Sequence, residues 1–128
     1  MLLSNKAMLL VALSACFFAV VIGAFGAHGL MALLVENDRV ETFDTANKYH
    51  FYHALGMLFI CLCRSNIGDL ALNRIAFALM LVGLIIFSGS LYALSITGLS
   101  WLGAITPIGG LFFLAAWGTL IRSVIKAQ

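Results

Sequence analysis

The long apolar segment that follows Lys6 is the feature that most limits how this chain can fold. No Asp, Glu, Lys or Arg occurs between Lys6 and Glu36. A helix that crosses the hydrocarbon core of a bilayer needs about 20 mostly apolar residues, and this segment exceeds that length. Of the 128 residues, 63% are hydrophobic and 9% are charged, against about 25% charged in a soluble domain. The sequence therefore predicts an integral membrane protein.

Three more apolar segments follow the first one. We predict spans at about 7–34, 44–64, 73–95 and 102–125, with an amphipathic loop at about 35–47. The connections between the spans are short, which favours antiparallel neighbours. The expected fold is all-α: a single transmembrane domain, 1–128, folded as an antiparallel four-transmembrane-helix bundle.

The basic residues near the span ends predict the orientation, because cytoplasmic loops carry an excess of Lys and Arg. One side of the predicted bundle holds five basic residues and the other holds two. The five are Lys6, Arg64, Arg74, Arg122 and Lys126, and the two are Arg39 and Lys48. We therefore predict that both termini are cytoplasmic, in a multi-pass protein of the bacterial inner (plasma) membrane.

Two aspartates have the position of a helix N-cap. Asp38 precedes Glu41 by three residues, which is the spacing of a capping box, and helical spacing continues from there toward His50. We predict a helix that begins in the outer loop and runs directly into the second span. Asp69, which follows Gly68, is the second predicted N-cap and begins the third span.

Polar side chains collect in the outer halves of all four predicted spans. Polar groups inside a membrane are costly, so their agreement in depth favours a functional role. Asn47, His50 and His53 share one helix face, and Ser88 and Tyr92 share another. The candidate ligand-binding residues are His28 on the first span, Asn47, Tyr49, His50 and His53 on the second, Ser88, Ser90 and Tyr92 on the third, and Thr106 on the fourth.

A structural interpretation of the same residues stays open. Serine and threonine hydroxyls often form interhelical hydrogen bonds, and tyrosines anchor helices at the membrane surface. Small residues repeat every four positions at Ala15, Ala19, Gly23 and Ala27, which is typical of a helix contact. His28 lies about 140° around the helix from Gly23, so either it faces a different neighbour or the helix breaks at the glycines.

The cysteine in the first span permits a second interpretation of the N-terminus. The letters LSAC, ending at Cys16, fit a bacterial lipoprotein signal. The apolar run, however, continues far beyond Cys16, whereas the apolar region of a signal peptide has about 7–15 residues. We interpret Cys16 as a residue of an uncleaved helix and keep lipidation as the alternative. All three cysteines, Cys16, Cys61 and Cys63, lie in apolar runs, so no disulfide framework is predicted.

Four motifs, one in each span, resemble a known family. GAFGAHGL, ANKYHFYHALGM, FSGSLYAL and ITPIGGLFFLAAW are similar to the YgdD-like family of small bacterial inner-membrane proteins, which have four predicted spans. The resemblance covers nearly the whole chain and implies an inner-membrane location, but it implies no activity. On the family pattern, the matching positions are Gly23, Phe25, Gly26 and His28, then Tyr49 and His53, then Ser88, Gly89, Ser90 and Tyr92, then Thr106, Pro107, Gly109 and Gly110.

Four functional hypotheses follow from the sequence. The favoured one is binding or transport of a small polar or lipidic ligand in a polar pocket at the outer half of the bundle. The alternative is a non-catalytic accessory or structural subunit, with a homo-oligomer or another membrane protein as its partner. An intramembrane enzyme with His53 as base is less favoured, because no known catalytic motif is present.

The fourth hypothesis is a metal site formed by His28, His50 and His53, since three imidazoles can hold zinc. It is the weak alternative, because family members can carry glutamine in place of His50. We therefore predict no metal and no cofactor. The lipid bilayer is the expected partner, and the formal net charge of +2 gives nucleic-acid binding no electrostatic support.

Overall fold

The computed structural model describes residues 4–63 and 66–126, and this part of the chain is helical without any strand. Arg64, one of the basic residues assigned to the cytoplasmic side, lies outside the described residues. A short 3-10 helix, Ser100–Ala104, precedes the last long helix. The α-helices are α1, Asn5–Ala27, α2, Met31–Glu36, α3, Val40–Cys63, α4, Leu70–Thr97, and α5, Thr106–Lys126.

The first apolar segment forms two helices instead of one. α1 ends at Ala27, and the Leu30 amide closes the turn by donating to the Phe25 carbonyl over 2.8 Å. Gly26 and Gly29 flank the break, and each lowers helix propensity by about 1 kcal/mol relative to alanine. The short helix α2 then packs against α3 and α4. Of the two possibilities left open for His28, the structure has the broken helix.

The predicted N-cap at Asp38 is wrong, because this aspartate lies in the turn that closes α2, and α3 begins only at Val40. Its φ is 53°, in the left-handed region that Asp tolerates better than most residues. The Asp38 amide donates to the Val35 carbonyl over 3.0 Å, and the Arg39 amide donates to the Leu34 carbonyl over 2.8 Å. These two bonds form a Schellman motif. Aspartate suits both kinds of helix end, so the letter pattern alone did not distinguish them.

The other two local predictions are confirmed. α3 is continuous from Val40 to Cys63, so much of the predicted outer loop belongs to the same helix as the second apolar segment. Asp69 is the N-cap of α4, where its Oδ1 accepts from the amides of Ala71 and Leu72 at 2.9 and 3.1 Å.

Neighbouring long helices run antiparallel. Close backbone packing joins α1 to α3, α3 to α4, and α4 to α5. At each interface, moving toward the end of one helix brings contacts with residues nearer the start of the other. The two helices therefore run in opposite directions. The paired contacts are Gly23 with Asn47 and Gly26 with Phe43 for α1 and α3, Ala46 with Ser88 and Gly56 with Met80 for α3 and α4, and Ser90 with Thr106 and Asn73 with Ser123 for α4 and α5.

All four long helices contribute to one buried apolar core. The core lies at the end of the molecule that holds the start of α1 and the end of α5, and the polar contacts described below lie mostly toward the opposite end. Its members are Met8 and Ala12 of α1, Met57 and Ile60 of α3, Ala76, Phe77 and Met80 of α4, and Ala116 and Leu120 of α5.

Within residues 4–63 and 66–126, three helical segments are long and apolar enough to cross a membrane: Asn5–Ala27, Leu70–Thr97 and Ser100–Lys126. Their outward faces carry large apolar side chains, among them Phe17 at 64% exposure and Leu114 at 70%. Exposed apolar surface on this scale is costly in water and favourable against lipid tails. α3 is not among these segments, since its first half combines charged residues with uncharged polar ones, including Asn47, His50 and His53.

Candidate functional site

The Tyr92 hydroxyl of α4 belongs to a chain of hydrogen bonds that includes three helices. The Asn47 amide group, Nδ2, donates to this hydroxyl over 3.0 Å and to the Ala19 carbonyl over 2.8 Å. Nδ1 of His50 lies 3.2 Å from the same hydroxyl. Since Tyr92 accepts from Asn47, its own proton is available for Nδ1 of His50. The resulting chain of hydrogen bonds connects α1, α3 and α4.

The bonding pattern around His50 selects its tautomer. Nδ1 accepts from Tyr92, so the proton of a neutral ring lies on Nε2. The backbone of Ala15 in α1 is within hydrogen-bonding reach of the ring. The side chain is 5% exposed. His50 is thus held between α1 and α4 as a neutral, buried side chain.

His53 has the opposite tautomer. Its Nδ1 lies 2.8 Å from the Tyr49 carbonyl, which only accepts, so Nδ1 carries the proton. Its Nε2 accepts from the Trp117 indole Nε1 over 3.3 Å. The ring also stacks on Phe113, with the planes 8° apart. Both ring nitrogens therefore hold hydrogen bonds, and a role as general base would require one of them to break.

The serine and threonine hydroxyls among the candidates form hydrogen bonds from α4 to α3 and to α5. Ser88, which is fully buried, donates to the Ala46 carbonyl of α3 over 2.8 Å. Ser90 lies 2.7 Å from the Thr106 hydroxyl of α5 and 3.0 Å from the Phe87 carbonyl of its own helix. The bonds of Ser88 with Ala46 and of Ser90 with Thr106 are the interhelical hydrogen bonds of the structural interpretation.

The side chains of two candidate residues take part in none of the hydrogen bonds described above. His28 is exposed at the end of α1, and its amide donates to the Phe25 carbonyl over 3.4 Å. Tyr49 is 40% exposed, with its ring centroid 4.7 Å from that of Phe87. In the described ranges, 4–63 and 66–126, no group of three or more His, Cys, Asp or Glu side chains is placed to hold a metal ion.

The structure therefore separates the nine candidates into different groups instead of placing them around one polar cavity. Asn47, His50 and Tyr92 form one group, and Ser90 and Thr106 form another. Tyr49 and His53 belong to an aromatic cluster with Phe87 of α4 and Phe113 of α5. Ser88 bonds to backbone, and His28 lies apart at the surface.

The glycines of GAFGAHGL provide the close approach of α1 to α3. A Cβ added at Gly26 would lie 2.1 Å from Cε1 of Phe43, a ring that is 5% exposed. A Cβ added at Gly23 would lie 2.7 Å from Oδ1 of Asn47. Side chains at either position would thus push α3 away. The small-residue repeat at this end of α1 faces α3, in agreement with its prediction as a helix contact.

Beside this contact lies a cavity of about 200 Å³, which we call the α1–α3 cleft. Helices α1, α2 and α3 all contribute to it, and most of its lining is apolar. Two side chains bring polar atoms, Asp44 and Asn47. The lining residues are Gly23, Gly26, Ala27, Met31, Leu34, Val40, Phe43, Asp44 and Asn47.

A buried polar cluster at the opposite end of the molecule was missed in the sequence. Ser123 of α5 and Asn73 of α4 are 0% and 2% exposed, and Oγ of Ser123 lies 2.7 Å from Oδ1 of Asn73. The Asn73 amide group donates to the Ile67 carbonyl. The available signal was an asparagine inside an apolar segment, four residues after the N-cap Asp69.

An ion pair joins the end of α5 to the start of α4 at the same end of the molecule. Nζ of Lys126 lies 2.5 Å from Oδ2 of Asp69. The hydrogen bond from Lys126 holds the pKa of the Asp69 carboxyl below its ordinary value, and the amides of Leu72 and Ala71 act in the same direction. The ionised carboxylate therefore contributes to the docking of the end of α5 onto the start of α4.

Asn37 is another contact that the sequence did not reveal. Its Nδ2 lies 3.0 Å from the carbonyls of Ser95 and Ile96 at the end of α4. Arg39 reaches the Ser100 hydroxyl at 3.3 Å. The turn between α2 and α3 is thus attached to the end of α4, where free carbonyls are available.

Apolar helices with outward-facing apolar side chains, joined by polar groups that bond one another, define an all-helical integral membrane protein. Residues 22–110 match the family described as Protein of unknown function (DUF423). The chain belongs to the DUF423/UPF0382 membrane protein family. The family of small bacterial membrane proteins predicted from the four motifs is confirmed at this level.

Relatives of this family match most of the chain. The UPF0382 membrane protein YwdK of Bacillus subtilis is 40% identical over 108 residues, which cover 84% of this chain and 87% of the relative. A UPF0382 membrane protein of Haemophilus influenzae is 39% identical over 126 residues, 98% of each chain. The UPF0382 membrane protein SH2409 of Staphylococcus haemolyticus is 44% identical over 104 residues, 81% of this chain and 83% of the relative. No solved structure matches this chain.

Proposed function

We propose that the chain crosses the bacterial inner membrane four times, with both termini in the cytoplasm. The position of α3 supports this topology, because α3 packs along both α1 and α4. Its second half also exposes apolar side chains, such as Phe59 at 50% and Leu62 at 66%, which suit contact with lipid. The excess of basic residues at the end that holds Lys6 and Lys126 supports the orientation.

Cysteine accessibility tests this topology. Starting from a chain whose three native cysteines are replaced by alanine, single variants Glu36→Cys and Ser100→Cys are treated in intact cells with a membrane-impermeant thiol reagent. We expect both to be labelled, because α3 and α4 together return the chain to the outer side. If only Glu36→Cys is labelled, α3 does not cross. Lys6→Cys is the control and reacts only after the membrane is opened.

We propose further that the protein binds a small ligand in the α1–α3 cleft. The cleft itself carries this proposal: it is an apolar cavity of about 200 Å³ with two polar side chains at its edge. Ligand sites are mostly apolar and contain a few placed polar groups. An engineered apolar cavity of about 150 Å³ in another protein binds benzene, so the cleft has room for a ligand of roughly that size.

The contacts around the cleft support a site that is formed before the ligand arrives. Asn47 is held in place by its bonds to the Ala19 carbonyl and the Tyr92 hydroxyl. Phe43 packs against Gly26 and also against the Tyr92 ring, whose centroid is 5.1 Å away. A preorganised site loses less conformational entropy on binding.

We favour binding over transport for this cleft. Its lining residues all come from the end of α1, from α2 and from the start of α3. The other half of the molecule is filled by the buried apolar core. A ligand that entered the cleft would therefore need a rearrangement of that core to reach the opposite surface.

A pair of matched substitutions tests the cleft as a ligand site. Ala27 lines the cleft, whereas Ala24, also exposed on α1, does not. Each is replaced by leucine, and the proteins purified from native membranes are compared by native mass spectrometry. We expect a bound small molecule with the wild type and with Ala24→Leu, and its loss in Ala27→Leu. Retention of the same mass by Ala27→Leu, or a stoichiometric protein partner in place of a small molecule, would contradict the proposal.

A further inference from the structure

We propose that the ligand of the α1–α3 cleft is a cation, namely a protonated amine on a small apolar body. This inference rests on the proposed function, because it takes the cleft to be the ligand site. It is carried by the side-chain hydrogen-bonding groups that the cleft offers and by the charges around its mouth.

The polar side chains of the cleft offer acceptors. Asn47 has two amide protons, and both are committed, one to the Ala19 carbonyl and one to the Tyr92 hydroxyl. Its remaining group is the carbonyl oxygen Oδ1, an acceptor. Asp44 is a carboxylate and also only accepts. The other lining side chains are apolar. A ligand that satisfies these two residues must therefore donate hydrogen bonds.

The charges at this end of the molecule add to the same preference. The segment 36–48 carries four carboxylates and two basic side chains. One of the basic residues, Arg39, is directed to the Ser100 hydroxyl and to its neighbour's backbone carbonyl. The other, Lys48, is bound to Asp44 itself. The cleft is thus more complementary to a cation than to a carboxylate or a phosphate.

Lys48 competes with the proposed ligand for the carboxylate of Asp44. Its Nζ lies 2.7 Å from Oδ2 of Asp44, in a pair whose two side chains are 58% and 59% exposed. Exposed pairs at this spacing on a helix are weak. An incoming ammonium can therefore replace the lysine at the carboxylate, or share the carboxylate through its second oxygen.

Three probes of similar size and different charge test the inference. Fluorinated benzylamine, benzyl alcohol and benzoate are added to the full-length protein in lipid nanodiscs, and binding is followed by fluorine NMR. Benzylamine is a cation at neutral pH, the alcohol is a neutral donor, and benzoate is an anion. We expect the amine to bind most tightly, the alcohol more weakly and benzoate not at all.

Three variants of α3 identify the carboxylate. Asp44→Asn preserves the shape of the side chain, and we expect it to weaken the amine about tenfold while leaving the alcohol nearly unchanged. Glu41→Gln removes a carboxylate of the same helix that does not line the cleft, and we expect a much smaller effect than that of Asp44→Asn. Lys48→Gln removes the competitor and should strengthen amine binding about twofold.

The outcomes separate this inference from the proposed function. If amine and alcohol bind equally and both are lost in Ala27→Leu, the cleft is a ligand site and the preference for a cation is wrong. If benzoate binds best, the inference is likewise wrong. If no probe gives binding that Ala27→Leu abolishes, the amine inference fails. If the mass spectrometry comparison also shows no ligand, the proposed function fails with it.

Discussion

The indole nitrogen of Trp117 donates a hydrogen bond to Nε2 of His53 over 3.3 Å, although the two residues are 64 positions apart. The bond ties α5 to α3. On the other side of the ring, Nδ1 bonds to the Tyr49 carbonyl, which keeps the imidazole in one orientation. His53, which the sequence offered as a possible general base, is thereby held as a neutral side chain that links two helices.

Loss of this link should weaken the fold measurably. In Trp117→Phe the donor disappears and Nε2 of His53 stays buried without its partner. We expect a loss of about 1 kcal/mol of stability, within the range of interhelical hydrogen bonds in membranes. The measurement is the unfolding midpoint in mixed micelles. Trp101→Phe is the matched control, since Trp101 is 63% exposed, and equal losses in both variants would contradict the role of the bond.

The Tyr92 hydroxyl should contribute more, because it serves two partners. Tyr92→Phe removes the acceptor for Asn47 and the donor for His50 together, and we expect about 1–2 kcal/mol of destabilisation. Tyr52→Phe is the control, since Tyr52 is 58% exposed. Unfolding curves of both variants check this prediction. If Tyr92→Phe unfolds like the control, the hydrogen-bond chain across α1, α3 and α4 does not stabilise the fold.

The effect of a glycine-to-alanine substitution on stability should depend on the space beside that glycine. In Gly26→Ala the new Cβ would overlap the buried Phe43 ring, so we expect about 1–3 kcal/mol of destabilisation. At Gly89 nothing lies within 4 Å of the added Cβ. Gly89→Ala should be neutral or stabilising by about 0.5–1 kcal/mol, because alanine favours helix. The measurement is the thermal unfolding of both variants and the wild type. A Gly26→Ala protein as stable as the wild type would contradict the role of Gly26 in packing α1 against α3.

The ion pair between Asp69 and Lys126 predicts a dependence of stability on pH. The pKa of the Asp69 carboxyl is lowered in the folded state, chiefly by Lys126. Its contribution is therefore fully present above the ordinary aspartate pKa of about 3.9 and is lost as the pH falls through the lower folded value. Asp69→Asn retains an N-cap side chain but cannot titrate.

We therefore expect the Asp69→Asn variant to be less stable than the wild type near neutral pH. The difference should shrink as the pH falls below the ordinary aspartate range. Melting temperatures measured across that range test this, with Asp44→Asn as the control, since it removes a carboxylate at the opposite end. A constant gap at every pH would show that the carboxylate charge is not the stabilising feature.

The helices themselves were largely predictable. Long uncharged segments must bond their backbone groups internally inside a membrane, and helix is the structure that does so within one segment. The N-cap at Asp69 followed from its chemistry in the same way. The break after Ala27 was one of two possibilities that the sequence left open for His28. The role of Asp38 was less accessible, because aspartate suits either end of a helix and the turn beside it is attached to the end of α4 through Asn37.

For the candidate site, helical periodicity did not predict which side chains would contact one another. Asn47, His50 and His53 are spaced by three residues, so they spread over roughly 120° of the α3 surface. That arc is wide enough to meet more than one neighbour. Asn47 and His50 bond to Tyr92 of α4, whereas His53 bonds to Trp117 of α5. A shared stripe along the sequence thus became two separate sets of contacts.

The sequence by itself determined the membrane setting and most of the helical segments, because both follow from the cost of placing a polar group in lipid. The tertiary structure decided which polar groups meet. A hydrogen bond requires atoms about 3 Å apart in a set direction, and that depends on how closely and at what rotation the helices pack. Gly23 and Gly26 provide the closeness between α1 and α3, and the same packing leaves the cleft in which Asp44 lies.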